Sequence, residues 1–138
     1  MTIHSLVLKD LHAWYGGGHV LRGVSLNLER GSMTAVVGRN GAGKTTLLKV
    51  VMGLIESCSG SVTLEETELH LLSPSVRARA GLSYVPEYRG IFPSLTVLEN
   101  LTVGCRTRPG GWDLGRIFSR FPRLKERRHY GGAMLSGG

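Results

Sequence analysis

Apolar and polar residues alternate near the start of the chain. Residues 3–8 and 11–15 are short β-type runs, the glycines at 16–18 break the pattern, and residues 24–28 alternate again. Successive side chains of a strand point to opposite faces of a sheet, so a period of two is typical of half-buried strands. The pattern predicts an N-terminal antiparallel β-portion.

The middle of the chain combines a continuous apolar run with helical spacing. Residues 33–37 are almost entirely apolar, which is typical of a buried parallel strand. Spacing and flanking Pro and Gly residues predict four more elements, which are a helix over 44–55, a strand over 61–64, a short helix over 73–81 and a strand over 82–85. This order predicts an α/β fold with a mostly parallel core sheet.

The last third of the chain is predicted to be helical. Thr96 and Glu99 have capping-box spacing and open an apolar-periodic helix over 96–105. Residues 113–128 have the spacing of a second, basic helix, which Pro122 interrupts.

The net charge of +7 is unevenly distributed. Residues 1–70 have six basic and six acidic side chains, whereas residues 71–138 have eleven basic and four acidic ones. This excess suits a face that meets nucleic acid or an anionic membrane leaflet, or a solvated helical surface. We favour the solvated surface and predict no nucleic acid partner, because aromatic residues are not interleaved as in single-strand binders.

Targeting and covalent features exclude several classes of protein. Cys58 and Cys105 are too few for a disulfide framework or a cysteine metal site. The N-terminus lacks the pattern of a secretory signal, and the most apolar segment, residues 47–55, is too short to cross a bilayer. We expect a cytoplasmic chain whose membrane role comes through a partner.

A phosphate-binding pattern is the sharpest chemical feature. It fits Gly-x4-Gly-Lys-Thr and consists of Gly38, Arg39, Asn40, Gly41, Ala42, Gly43, Lys44, Thr45 and Thr46. Such a loop turns its amides toward phosphate oxygens, while Lys44 reaches the β- and γ-phosphates and Thr45 offers its hydroxyl to Mg²⁺. The alternative is a glycine-rich turn with a chance lysine. The pattern alone does not separate kinases, GTPases, helicases and transport ATPases.

The order of motifs resembles that of ABC ATPase domains over essentially the whole chain. Tyr15 lies 23 positions before Gly38, where that family has a ring that stacks on adenine. Glu87, in Tyr-Val-Pro-Glu, occupies the position of the family's Q-loop. Leu-Ser-Gly-Gly at 135–138 matches the start of the LSGGQ signature.

The resemblance implies a role for each of these residues. Lys44 and Glu87 would be catalytic, and Glu87, in place of the usual glutamine, would ligate Mg²⁺ together with Thr45. Tyr15 would stack on ATP, although a core tyrosine is the alternative. The signature residues Ser136, Gly137 and Gly138 would meet the γ-phosphate held by a second ATPase subunit, although a flexible tail is the alternative.

Residues 84–101 and 121–128 look like the branched-chain amino-acid branch of the family, in which Glu at position 87 is common. Tyr88 departs from that branch, and ATPases of urea or short-amide importers are near competitors. The resemblance implies an importer subunit that uses ATP and Mg²⁺. Its partners would be membrane permease subunits, a second ATPase subunit in a homo- or heterodimer and, indirectly, a solute-binding protein. It would be cytoplasmic and peripheral at the inner face of the membrane.

The family's pattern continues after the signature with a strand ending in Asp-Glu and with a switch histidine, neither of which is in this sequence. We therefore expect a P-loop NTPase fold that is incomplete at the C-terminus, with a P-loop strand that loses packing and little hydrolysis by this chain alone. The expected parts are a β-portion and P-loop core over 1–85, a Q-loop over 86–94 and a helical subdomain over 95–138. A non-hydrolytic, ATP-binding regulatory module is the alternative.

Overall fold

The computed structural model describes residues 5–88, 90–105 and 111–135. The chain forms two compact units, Met1–Tyr84 and Val85–Gly138. The elements of the first unit are β1 (Ser5–Tyr15), β2 (Gly18–Glu29), α1 (Lys44–Met52), β3 (Cys58–Leu64), β4 (Thr67–Glu68), a 3₁₀ turn (Leu69–Leu71) and α2 (Pro74–Arg79).

The first unit is built on a four-stranded sheet with the order β2-β1-β3-β4, in which every pairing is antiparallel. β1 and β2 form a long hairpin that runs from the Ser5–Glu29 pair to the Tyr15–Gly18 pair. The two runs predicted at 3–8 and 11–15 belong to one strand. They are separated by an irregularity in register at Asp10, whose φ of 48° takes the backbone through the left-handed region.

The core of the first unit lies between this sheet and α1. The apolar spacing of α1 buries one side of the helix against side chains from the strands and the 3₁₀ turn. The cluster consists of Leu8, Leu11, Ala13, Leu21, Val62 and Leu69 together with Leu47, Val50 and Val51 of α1. Burying one such Leu or Val contributes roughly 1.5–3 kcal/mol, so the position of α1 is set mainly by this contact.

The prediction of a buried parallel strand at 33–37 is wrong for the described structure. These residues form no regular structure, and Met33 and Val37 are 99% and 87% exposed. A parallel strand is held by hydrogen bonds to neighbouring strands, and no described strand pairs with this segment. Its apolar side chains Met33 and Val37 therefore meet solvent. The predicted mostly parallel sheet and the strand at 82–85 are likewise not formed.

The second unit contains α3 (Val97–Thr102), α4 (Leu114–Arg120), α5 (Pro122–Glu126) and a 3₁₀ turn (Gly132–Met134). The predicted capping box is confirmed, because the Glu99 amide donates to Thr96 Oγ1 at 3.2 Å and the Thr96 amide donates to Glu99 Oε2 at 2.7 Å. The predicted interruption at Pro122 is confirmed as well, since α4 ends at Arg120 and α5 begins at Pro122.

A hydrogen-bond network holds the loop before α3. The Asn100 side-chain amide donates to the carbonyls of Phe92, Leu95 and Thr96 at 3.0–3.2 Å, and its Oδ1 accepts from the Phe92 amide at 2.8 Å. The Gly132 amide donates to Leu95 O at 2.7 Å. The loop is thereby fixed both to α3 and to the segment that precedes the predicted signature.

The capping box predicts a pH dependence of stability. Hydrogen bonds from the Thr96 amide and then from its hydroxyl lower the pKa of Glu99 from its ordinary value of about 4.3. A carboxylate with a lowered folded-state pKa stabilises the fold fully above the unfolded pKa, and this contribution is lost as the pH falls through the folded pKa. We expect Glu99→Gln to flatten the decline of the urea midpoint between roughly pH 5 and pH 3. The Glu126→Gln control should keep the wild-type slope, and equal slopes for all three proteins would contradict the prediction.

Candidate functional site

The predicted phosphate-binding segment forms a loop that runs directly into α1. Residues 38–43 have no regular secondary structure, and α1 begins at Lys44. Gly43 caps the helix with a φ of 90°, and Gly41 has a φ of 81°, so both need a left-handed backbone that glycine adopts most easily. Loop and helix therefore have the local geometry predicted from the sequence.

Gly43 also fixes the loop against the sheet. A Cβ atom at this position would lie 2.9 Å from Leu21 Cδ2 and 3.2 Å from Val20 Cγ1, both on β2. The first bond of the helix follows at once, because the Leu47 amide donates to Gly43 O at 2.8 Å. The end of the loop is thus held by β2 on one side and by α1 on the other.

The Lys44 side chain closes the loop. Its ammonium donates to Gly38 O at 2.7 Å and to Arg39 O at 2.8 Å, so it joins the first residue of the helix to the first residues of the loop. The Ala42 amide donates to Arg39 O at 3.2 Å and adds a tight turn inside the loop. An ammonium has three donors, so one of them is available to a further acceptor in this arrangement.

The N-terminus of α1 is suited to an anion. No side chain hydrogen-bonds to the helix cap, and no acidic residue occurs in the first turn. The free amides of a first turn, with the partial positive charge of the helix end, attract phosphate groups. Thr45 is exposed and Thr46 is half-buried in this turn, while residues 38–42 of the loop are exposed. The loop, Lys44 and the helix end together offer hydrogen-bond donors and positive charge to a polyanion.

Tyr15 ends β1 and is 64% exposed, so it is not a core residue. Its predicted role as a platform for a base stays a prediction. The neighbouring Trp14 stacks on His19 with ring centroids 4.8 Å apart and planes 13° apart. His12 Nδ1 lies 3.0 Å from His19 Nε2, and His12 Nε2 lies 3.2 Å from Asp10 Oδ1. These contacts, which no sequence pattern predicts, steady the hairpin that ends near Tyr15.

The other predicted site residues belong to the second unit or lie outside the described residues. Glu87 lies in the second unit, in an exposed turn. Ser136, Gly137 and Gly138 lie outside the described residues. Their roles in metal binding and in contacting a γ-phosphate stay predictions.

Arg77 contacts the end of α1 that lies away from the loop, and the sequence patterns did not single it out. It is 5% exposed, and its guanidinium donates to the carbonyls of Val50 and Val51 at the C-terminal end of α1. Burial lowers the pKa of Arg77 from its ordinary value. Nothing in the local sequence distinguishes it from the exposed Arg79 of the same helix.

A metal ion at this site would need phosphate oxygens of a bound ligand in addition to protein atoms. Within residues 5–88, 90–105 and 111–135, no group of three or more His, Cys, Asp or Glu side chains could hold a metal. The exposed Thr45 hydroxyl, in the first turn of α1, is the protein oxygen best placed to join phosphate oxygens around Mg²⁺. No helix in the described part of the chain has the length and apolar character needed to cross a membrane.

Comparisons with known proteins agree on one family. A family model described as ABC transporter matches residues 21–138. A probable branched-chain amino acid transport ATP-binding protein, LivF of Archaeoglobus fulgidus, is 38% identical over 93% of this chain and 56% of that protein. A ribose import ATP-binding protein, RbsA of Oceanobacillus iheyensis, is 36% identical over 72% of this chain and 20% of that protein.

The solved structure of an ATP-binding subunit of an ABC transporter is also similar, with a TM-score of 0.79 and 31% identity. The match covers 96% of this chain and 56% of that one. The chain therefore spans just over half the length of that structure and of LivF.

Proposed function

Because this chain belongs to the ABC transporter family, we propose that it binds MgATP at residues 38–46 as the ATP-binding part of an importer subunit. The observation that carries the proposal is the loop at the N-terminus of α1, which the Lys44 ammonium closes through Gly38 O and Arg39 O. This arrangement places a fixed cation and uncapped helix amides together, as polyphosphate binding requires.

The chain's own residues would hold the nucleotide in distinct ways. The loop amides would bind phosphate oxygens, and the remaining donor of Lys44 would reach toward the β- and γ-phosphates. Thr45 would offer its hydroxyl to Mg²⁺, which when bound neutralises charge that develops on the phosphates. Tyr15, exposed at the end of β1, would stack on the adenine ring.

Hydrolysis and transport are proposed for the whole protein. Glu87 would complete the metal site and act in catalysis, within a Q-loop over residues 86–94. The signature residues Ser136, Gly137 and Gly138, in a helical subdomain over residues 95–138, would meet nucleotide held by a second ATPase subunit. Permease subunits would place the protein at the inner face of the membrane, with a solute-binding protein as an indirect partner.

Branched-chain amino acids are the proposed solutes. The matches to ATP-binding proteins of such transporters cover 93–96% of this chain, whereas the ribose-import matches cover 70–86% of it. Glu87 also supports this proposal, because glutamate is common at this position in the branched-chain amino-acid branch that the sequence resembles. A ribose importer is the second candidate, because ribose-import proteins reach 36–40% identity with this chain.

The polyphosphate site predicts a loss of affinity on substitution of its cation. We expect Lys44→Ala to weaken MgATP binding by about 10- to 100-fold, since a charged hydrogen-bond donor contributes roughly 1.5–3 kcal/mol. Calorimetric titration of the full-length protein measures this change. Lys49→Ala, in the last turn of the same helix, is the matched control and should bind as wild type. Unchanged affinity after Lys44→Ala and Thr45→Ala together would refute the proposed site.

The proposed adenine platform predicts a difference between two ligands. Tyr15→Ala removes a stacking surface of roughly 1–3 kcal/mol per base, so ATP should bind about 5- to 100-fold more weakly. Inorganic triphosphate with Mg²⁺ has no base, and its affinity should not change. Tyr15→Phe keeps the ring and should bind both ligands as wild type. An equal loss for both ligands would show that Tyr15 acts through the loop instead.

The proposed solute predicts a transport phenotype. Deletion of the gene in its host should abolish most leucine uptake and leave ribose uptake unchanged, because the ATPase energises one permease. The wild-type gene should restore uptake, and a gene with Lys44→Ala should not. Loss of ribose uptake with normal leucine uptake would favour the second candidate.

A further inference from the structure

Arg77 reaches from α2 to the C-terminal end of the helix that begins at the phosphate loop. Its Nη1 donates to Val50 O at 2.9 Å and to Val51 O at 2.8 Å, and its Nε donates to Leu72 O at 2.9 Å. One planar guanidinium thereby joins the last turn of α1 to the segment that opens α2. A cation in this position also offsets the partial negative charge of a helix C-terminus.

The surrounding backbone leaves room for this side chain. Gly53 ends α1 with a φ of 75°, and its amide donates back to the carbonyls of Lys49 and Val50. A Cβ atom at Gly53 would lie 2.9 Å from both Cζ and Nε of Arg77. Three hydrogen bonds hold the guanidinium, so it could not move aside without breaking at least one of them. The position of the guanidinium is therefore set both by its hydrogen bonds and by the lack of a side chain at Gly53.

The buried charge of Arg77 orients the elements around it more than it stabilises the fold. A buried ion is weak support for stability, because removing it from water is costly and an apolar side chain of the same size often packs as well. A guanidinium differs from an apolar side chain in that its fixed fork of donors orients two elements at once. Arg79, two positions further on the same helix, is exposed and is therefore a matched comparison.

The two ends of α1 have different contacts. Its N-terminus receives the phosphate loop, and its C-terminus, about 13 Å away for nine residues, is held by Arg77. We propose that Arg77 is a positioning residue that couples nucleotide binding at the loop, through α1, to α2. The chain continues from α2 through residues 80–84 to the segment that contains Glu87, so α2 directly precedes that segment in the sequence. This inference rests on the proposed nucleotide site.

Hydrogen–deuterium exchange of the full-length protein tests the coupling, with and without Mg²⁺ and a non-hydrolysable ATP analogue. In the wild type, the nucleotide should slow exchange in residues 38–52 and also in residues 75–84. In Arg77→Met, protection of 38–52 should remain and protection of 75–84 should be lost. Arg77→Lys should restore little of it, since one ammonium cannot reproduce the fork. Arg79→Met should behave as wild type.

A second variant guards against misfolding of Arg77→Met. Gly53→Ala keeps the charge but displaces the guanidinium, so it should also remove the protection of 75–84. Wild-type-like protection of 75–84 in either variant would overturn the coupling. Protection of 38–52 without protection of 75–84 in the wild type would overturn the coupling but leave the nucleotide site intact. Absence of both in the wild type would overturn the nucleotide site and the coupling together.

Discussion

The packing of α1 on the antiparallel sheet is the contact on which the candidate site depends. The loop over 38–43 has no regular structure of its own, so its shape is imposed by the elements at its end. Val50 and Val51 bury the helix against the strands, and Gly43 lets the loop approach Val20 and Leu21 of β2. Hydrophobic burial alone is not directional. Together with the close approach at Gly43, it sets the position of α1 and therefore of the Lys44 ammonium.

The partial charge at the N-terminus of α1 is left uncompensated, whereas the one at its C-terminus is compensated. At the N-terminus no side chain caps the helix and no acidic residue is present, so the positive end stays available to an anion. At the C-terminus Lys49 lies in the last turn and Arg77 binds two carbonyls, so the negative end is compensated. Because helix-end effects fall off within a turn, each end is set by its own neighbours.

Features that depend on residues close in sequence, and the N-terminal antiparallel sheet, were predicted from the sequence, whereas the state of residues 33–37 and the contacts of Arg77 were not. The loop-to-helix transition at Lys44, the capping box at Thr96 and the break at Pro122 each depend on residues within a few positions, and each is confirmed. The run at 33–37 has strand composition, but a strand exists only beside a partner, and composition does not supply one. Arg77 binds carbonyls 26 and 27 positions away, beyond any local pattern.

The two units are held by different forces. Of the described residues from 85 onward, Val97 is the one large apolar side chain that is fully buried, so apolar burial contributes little there. Asn100 takes its place, because one side chain satisfies three carbonyls and one amide of the loop and helix around it. Gly132 adds a backbone bond from the segment before the predicted signature to Leu95. Hydrogen bonds therefore join the loop before α3 both to α3 and to the segment around Gly132.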